Sequence, residues 1–311
     1  MIKIGVVNID VSHPRSFASI LHKENRARYS AIYNDGFRTD EEIEEFMREF
    51  NLEKRYGNVE ELAKVVDIVF IQGCNWDRHL ELAEPAIKLG KPVFIDKPIV
   101  GNLADCIKLE NLVKKGAVIL GSSSVRYAEE FVNAKRVIEE NEEEIISVFG
   151  TAGVDEFNYG VHIMEGIQGF LGSGAYSVKF IGSTKINDNI IEQYFVRWKD
   201  GKTVIYQTQT PQWQPFDVIV TTTKNIHHFR VDSAKIYKAM LDKICDFMER
   251  GIPLAKITDL TETIRIYLAG KVSKENEGKE IKLTELKVDD SGYDGAIFEA
   301  EYAAKNDKEK L

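Results

Sequence analysis

From the amino terminus to about residue 120, short apolar runs alternate with stretches of helical spacing. Ile2 to Val7, Tyr29 to Tyr33, Asp67 to Ile71, Val93 to Ile95 and Ala117 to Leu120 are dominated by β-branched and aromatic residues. They lack the polar alternation of a half-exposed strand, so each reads as a strand buried on both faces. Between them, Pro14 to Leu21, Glu41 to Phe50, Val59 to Val65, Trp76 to Leu89 and Leu103 to Lys115 place apolar residues on one helical face. Ser12 reads as an N-cap with Pro14 in the first turn, and Gly90 as a C-cap. This alternation predicts a Rossmann-like doubly wound parallel sheet over residues 1–122.

After about residue 122 the period changes. Ser177 to Ile181, Ile191 to Trp198 and Thr203 to Gln209 alternate apolar and polar positions, the pattern of a sheet with one packed face. A helix over Gly160 to Leu171 interrupts this region. Two long helices, Ser233 to Arg250 and Asp259 to Lys274, follow it, and the tail Asn306 to Leu311 is polar and expected to fray. The reading for residues 123–311 is a second, α+β domain with a large open mixed sheet, giving an α/β protein of two domains.

Composition narrows the partners. The 311 residues carry a formal net charge of −9, which argues against nucleic acid and anionic membrane, both of which require a basic face. No apolar run approaches the ~18 residues of a membrane span. Cys74, Cys106 and Cys245 have no metal-like spacing and read as reduced thiols, so a cytoplasmic location is expected.

Ligands of open α/β sheets bind outside the carboxyl ends of the strands, which focuses the search for chemistry. Val93-Phe94-Ile95 ends in Asp96, Lys97 and Pro98, placing an ammonium and a carboxylate there. Lys97 also fits a plain surface lysine paired with Asp96. The first strand–helix turn reads Asn8-Ile9-Asp10-Val11-Ser12-His13, without any glycine of G-x-G-x-x-G. Asp10 there sets a carboxylate against a pyrophosphate, although the helix N-terminus, with Ser12 and Arg15, can still attract an anion. Equally, Asp10 and Ser12 fit simple helix caps. His162 and Glu165 share a helix face, and a histidine beside a ligand can move protons at neutral pH. Asp155 and Glu156 fit ordinary surface acids. Asn75 and His79 follow the strand ending at Ile71 and lie near the same sheet edge, although His79 fits a helix face equally well, and Arg126-Tyr127 follows another strand within reach of the cleft. His13, His79 and His162 lack ligand spacing, and no metal is expected.

The order of these features resembles the Gfo/Idh/MocA (glucose-fructose oxidoreductase and inositol dehydrogenase) family over nearly the whole chain. Asn75-Trp76-Asp77-Arg78-His79 resembles its P-N-x-x-H element, with Cys74 for the proline. Gly90-Lys91-Pro92-Val93 through Asp96-Lys97-Pro98 resembles A-G-K-x-V…E-K-P, with Asp96 for the glutamate. Arg126-Tyr127 resembles an R-F pair. Asn158 to Glu165 resembles D-x-G-x-H-x-x-D, with asparagine and glutamate for the aspartates, and Ile252-Pro253 with Ser273 to Leu283 resembles the family's ending.

The resemblance implies hydride transfer between NAD or NADP and a hydroxyl carbon of a sugar, polyol or related derivative. It casts Lys97 as the group that holds the substrate hydroxyl and His162 as general acid/base. Asn158, Tyr159, Arg126 and Glu165 become substrate-binding, and Asn8, Asp10, Ser12, His13, Asn75, His79, Asp96 and Lys97 cofactor-binding. Asp35 or Asn34 would sit at the adenosine ribose, and an acid there favours NAD. A homodimer or homotetramer through the C-terminal sheet is implied too. The glycine-free D-x-S-H loop resembles a divergent branch, which keeps open a non-redox lyase or isomerase and a non-catalytic ligand-binding protein on the same fold.

Overall fold

The computed structural model describes residues 1–309. The first domain comprises β1 (Ile2–Val7), α1 (His13–Glu24), β2 (Ala27–Tyr33), α2 (Asp40–Phe50), β3 (Lys54–Arg55), α3 (Val59–Ala63), β4 (Ile68–Ile71), α4 (His79–Lys88), β5 (Val93–Asp96), α5 (Leu103–Lys114) and β6 (Ile119–Ser122). The second continues with α6 (Glu129–Glu140), β7 (Ile145–Gly153), α7 (Gly160–Leu171), β8 (Ala175–Ile186), β9 (Asn189–Trp198), β10 (Thr203–Thr210), β11 (Asp217–Thr222), β12 (Ile226–Arg230), α8 (Ile236–Arg250), α9 (Ile257–Glu275), β13 (Ile281–Lys282) and α10 (Gly295–Glu309).

The six strands of the first sheet run β3-β2-β1-β4-β5-β6, and every neighbouring pair is parallel. This is the doubly wound order expected from the sequence, and its direction reverses between β1 and β4, where a crevice opens at the carboxyl ends. β4 and β5 are buried at every position, the price of having helices on both faces. The chain returns to this domain late: Met240, Leu241 and Ile244 of α8 pack with Ile4, Phe17 and Phe94 in one core cluster.

The second sheet runs β12-β11-β7-β10-β9-β8-β13, with β7 and β10 parallel and the other pairs antiparallel. Its inner face buries Val148, Tyr194, Val196, Val204, Tyr206 and Val218 in the same apolar cluster as α7 and α9. On its outer face, Phe195 stands beside Ile205, Ile205 beside Phe149, and Phe149 beside Ile219, a row crossing four strands.

The carboxyl-terminal region departs from expectation. Residues from Asn306 onward are not a frayed tail: α10 continues to Glu309, and only residues 310 and 311 of that stretch lie outside the described residues. Phe298 and Tyr302, one turn apart, give the helix an apolar stripe that packs on Trp76 and Phe37, with ring centroids 5.1 and 6.2 Å apart. Asn102 caps α5 and Thr39 caps α2, each accepting an amide hydrogen. Ser12 holds the N-cap position of α1 but makes no side-chain cap bond, because its backbone is already helical, at φ −72° and ψ −19°.

A buried ion pair sits where the end of β6 meets α7. Arg126, in the helical turn Ser124–Tyr127 after β6, donates from Nε to Glu165 Oε2 of α7 at 2.6 Å, and Ser122 donates to Glu165 Oε1 at 2.7 Å. The side chains of Arg126 and Glu165 are 6% and 0% exposed. Removing one partner strands the other charge, so Glu165→Ala should cost about 3–5 kcal/mol in urea unfolding. Pairing it with Arg126→Met should recover much of that loss, and a double variant no more stable than the single one would show that the pair is not coupled.

Candidate active site in the interdomain crevice

The turn after β1 stands where a dinucleotide loop would lie, without its glycines. Asn8 stands where the first glycine would be and adopts φ 64°, a left-handed conformation that asparagine tolerates better than most residues. Its Oδ1 accepts the Asp35 amide at 3.0 Å, tying the turn to the end of β2. The second position, Asp10, sends its carboxylate into a wholly buried space beside Gly36 and Gly73, where Oδ2 accepts the Cys74 amide at 3.3 Å. Burial lifts its pKa to about 7, opposed by the Cys74 amide and reinforced by Glu299. Neither Asp10 nor Ser12 caps α1. The third position, His13, turns back to β5, its Nδ1 2.7 Å from Asp96 Oδ2.

Asp96 gives the crevice its fixed charge. Burial works against its ionisation, yet His13 and Lys97 outweigh burial and hold the carboxyl below the usual carboxylate range. Its Oδ1 accepts the Lys97 amide at 2.8 Å, which sets the backbone from which Lys97 projects. Lys97 Nζ donates to Asn158 Oδ1 at 2.9 Å and lies 5.2 Å from the Tyr159 ring centroid. Burial lowers the Lys97 pKa, with Asp96 and Asp155 pulling the other way.

His162 enters from α7. Its Nδ1 lies 2.7 Å from Ser123 Oγ, and its ring centroid is 5.7 Å from Tyr159 and 6.4 Å from His13. Burial, then the charges of Lys97 and His13, push its pKa well below the ordinary 6.5, so the ring is neutral at neutral pH. The structure thus brings Lys97, His13, Asp96, Asn158, Tyr159 and His162 together.

Other sequence candidates serve elsewhere. Arg126 and Glu165 are spent on each other. Both ring nitrogens of buried His79 face main-chain oxygens, of Gly73 at 2.8 Å and Ile99 at 3.2 Å, so it ties two loops together. Asn75 caps the next turn and donates to Glu299 Oε2 at 3.0 Å. Asn34 is buried and accepts the Ile9 amide. Asp35 is the acid that solvent reaches at the end of β2, and it holds Arg78 at 2.6 Å. Asp155 and Glu156 are not mere surface acids. Asp155 accepts the Tyr159 amide at 3.0 Å, and Glu156 accepts the hydroxyls of Tyr194 and Tyr293 at 2.6 and 3.0 Å. Asp155 therefore fixes the turn that carries Asn158 and Tyr159, a role that only its position three residues before Asn158 hinted at.

The sequence reading missed α10 altogether. Phe298 and Tyr302 line the space beside Lys97, His13 and Asn158, leaving a cavity of about 50 Å³. That is room for little more than water. On the other side of Tyr302, a groove of about 400 Å³ runs past Ser12, Arg15 and Arg38 at the N-terminus of α1. Phe298 and Tyr302 of α10 thus narrow the end of the crevice beside Lys97.

Among the described residues no helix is long and apolar enough to cross a membrane. Among curated proteins, none matches the sequence. The profile of the oxidoreductase family with an NAD-binding Rossmann fold, Gfo/Idh/MocA, matches residues 2–123. Solved structures share the fold over about nine tenths of the chain. A probable dehydrogenase from Thermotoga maritima is 18% identical with a TM-score of 0.77, covering 92% of this chain and 100% of its own. The scyllo-inositol dehydrogenase of Lactobacillus casei, crystallised with NAD(H) and scyllo-inositol, is 14% identical with a TM-score of 0.74, covering 91% of this chain and 99% of its own. Over residues 2–123, its Rossmann part, this chain is similar to the Gfo/Idh/MocA oxidoreductases.

Proposed function

We propose that the protein is an NAD(P)-dependent oxidoreductase that transfers a hydride to or from a hydroxyl carbon of a sugar, polyol or related derivative. The observation that carries this reading is the meeting of Lys97, Asn158 and neutral His162 beside the crevice of an NAD-binding fold. Ser12 and Arg15 at the start of α1 would hold the phosphates, and Asp35 the adenosine ribose, which favours NAD. When bound, the nicotinamide supplies the hydride acceptor or donor. Lys97 Nζ would donate a hydrogen bond to the substrate hydroxyl in place of Asn158. In the oxidative direction the hydroxyl proton passes to His162 as the C–H bond gives up its hydride. Asn158 orients a neighbouring hydroxyl but, lacking an acid, carries no proton. The narrow end of the crevice beside Lys97 favours a second reading, non-redox acid/base chemistry by the same residues, for which turnover without nucleotide would be diagnostic.

Nicotinamide fluorescence on titration with NADH and NADPH should show saturable binding. Absence of binding up to millimolar nucleotide would overturn the redox reading. Lys97→Met and His162→Asn should each lower turnover by about 10²-fold or more while nucleotide still binds. Because His162 must be neutral to accept a proton, the oxidative rate should hold down to pH 6.5 and fall only as His162 protonates well below it. His162→Asn should abolish that acid limb, and an unchanged limb would assign it to another group.

We infer, too, that the apolar row Phe195-Ile205-Phe149-Ile219 is covered by the sheet of a second copy, giving a homodimer or homotetramer. Light scattering should report an oligomer for the native chain and a monomer for Ile205→Glu. A native monomer would overturn it.

A further inference from the structure

Asp10, Cys74 and Glu299 come from three distant parts of the chain, and their ligand atoms lie within 4.8 Å of one another. Two of them stand where the family pattern has a glycine and a proline, and the third belongs to α10. Asp10 is 0% exposed, and its Oδ1 has no hydrogen-bond partner. The carboxylate has open backbone on two sides: a Cβ on Gly36 would come within 2.0 Å of Oδ1, and one on Gly73 within 3.4 Å of Oδ2. The nearby guanidinium of Arg38 donates to the main-chain oxygen of Asp10 at 2.6 and 3.1 Å and to Glu42 at 3.2 Å, not to the Asp10 carboxylate. Asn75 Nδ2 donates to Glu299 Oε2 at 3.0 Å and orients that carboxylate, as hydrogen-bond donors behind metal ligands commonly do. A buried carboxylate, a thiol and a second carboxylate thus converge, and the nearest cation, Arg38, hydrogen-bonds to none of their ligand atoms.

We propose that Asp10, Cys74 and Glu299 bind one divalent transition-metal ion of the zinc class, between the Rossmann crevice and α10. One thiolate with two carboxylates suits Zn²⁺, Fe²⁺ or Co²⁺ and not Mg²⁺ or Ca²⁺, which take oxygen ligands alone. Bonds of about 2.3 Å to sulfur and 2.1 Å to oxygen put tetrahedral donors ~3.5 Å apart, so the three groups draw together slightly on loading. Binding expels the thiol proton of Cys74. Three protein ligands leave a fourth position for water. Such an ion offsets most of the negative charge gathered there and pins α10 to the sheet edge. The inference does not rest on the dehydrogenase reading, since the site is complete without nucleotide.

The test uses the full chain, stripped with a chelator and then titrated with Zn²⁺ alone by calorimetry and with Co²⁺ alone by absorbance. One ion per chain with micromolar or tighter affinity is expected, with a thiolate-to-cobalt charge-transfer band. Cys74→Ala should abolish the band, and Glu299→Gln, on a half-exposed helix position, should weaken binding at least tenfold while circular dichroism stays native. Cys106→Ala, at a buried thiol outside the cluster, should leave both unchanged. Failure of the native chain to bind either ion would overturn the proposal, as would binding that survives in Cys74→Ala and Glu299→Gln alike.

Discussion

The bond between Arg126 and Glu165 is the constraint from which the site's geometry follows. A strand end of the first domain and a helix of the second meet there, out of water, where a stranded charge is costly. Glu165 also accepts from Ser122, so α7 is held in one register against the end of β6. One turn back along α7, His162 meets Ser123 of the same strand end. The ion pair touches no proposed substrate, yet it decides where the imidazole of His162 sits relative to Lys97. Asp155 does the same for Asn158 and Tyr159 from the other side, so each member of the Lys97 cluster is placed by a partner one step removed.

A second theme is how the loop after β1 manages without glycine. Asn8 takes the left-handed backbone and uses its side chain to fasten the turn to β2, replacing freedom with a hydrogen bond. His13 spends the space a third glycine would leave on contact with Asp96, linking α1 to β5. Asp10 is the position with no such compensation. Its carboxylate is buried with one oxygen unpartnered, and its pKa of about 7 reflects that burial. The fold tolerates a costly group there, and costly buried groups are where function is usually found.

Much of the first domain was legible in the sequence because its strands are buried on both faces, so their apolar runs are continuous and their spacing admits one topology. Lys97, Asn158 and His162 were legible because each sits inside a motif tied to a strand or helix end. The pairing partners were not. Nothing in the spacing says that Arg126 and Glu165 satisfy each other, or that His79 faces two main-chain oxygens, because such choices are made by tertiary distance. The helix α10 escaped because its apolar face is only Phe298 and Tyr302 among alanines and charged residues. That stripe becomes meaningful only once Trp76 and Phe37 are seen beneath it.

The carboxyl-terminal helix changes how the crevice should be understood. In an open doubly wound sheet, the switch point between β1 and β4 is free space, and a ligand enters without cost to the protein. Here Phe298 and Tyr302 already occupy part of that space. Gly295 donates to Asp77, Trp76 donates to the Tyr293 main chain, and Asn75 donates to Glu299. A ligand entering beside Lys97 therefore competes with contacts that the free protein makes with itself. Its apparent affinity is lowered by the fraction of chains in which α10 is docked. Whatever strengthens docking of α10 in this position weakens entry, and whatever holds it in a shifted position favours entry. The Rossmann sheet supplies the shape of a nucleotide site, and a helix from the far end of the chain sets how much of that shape is available.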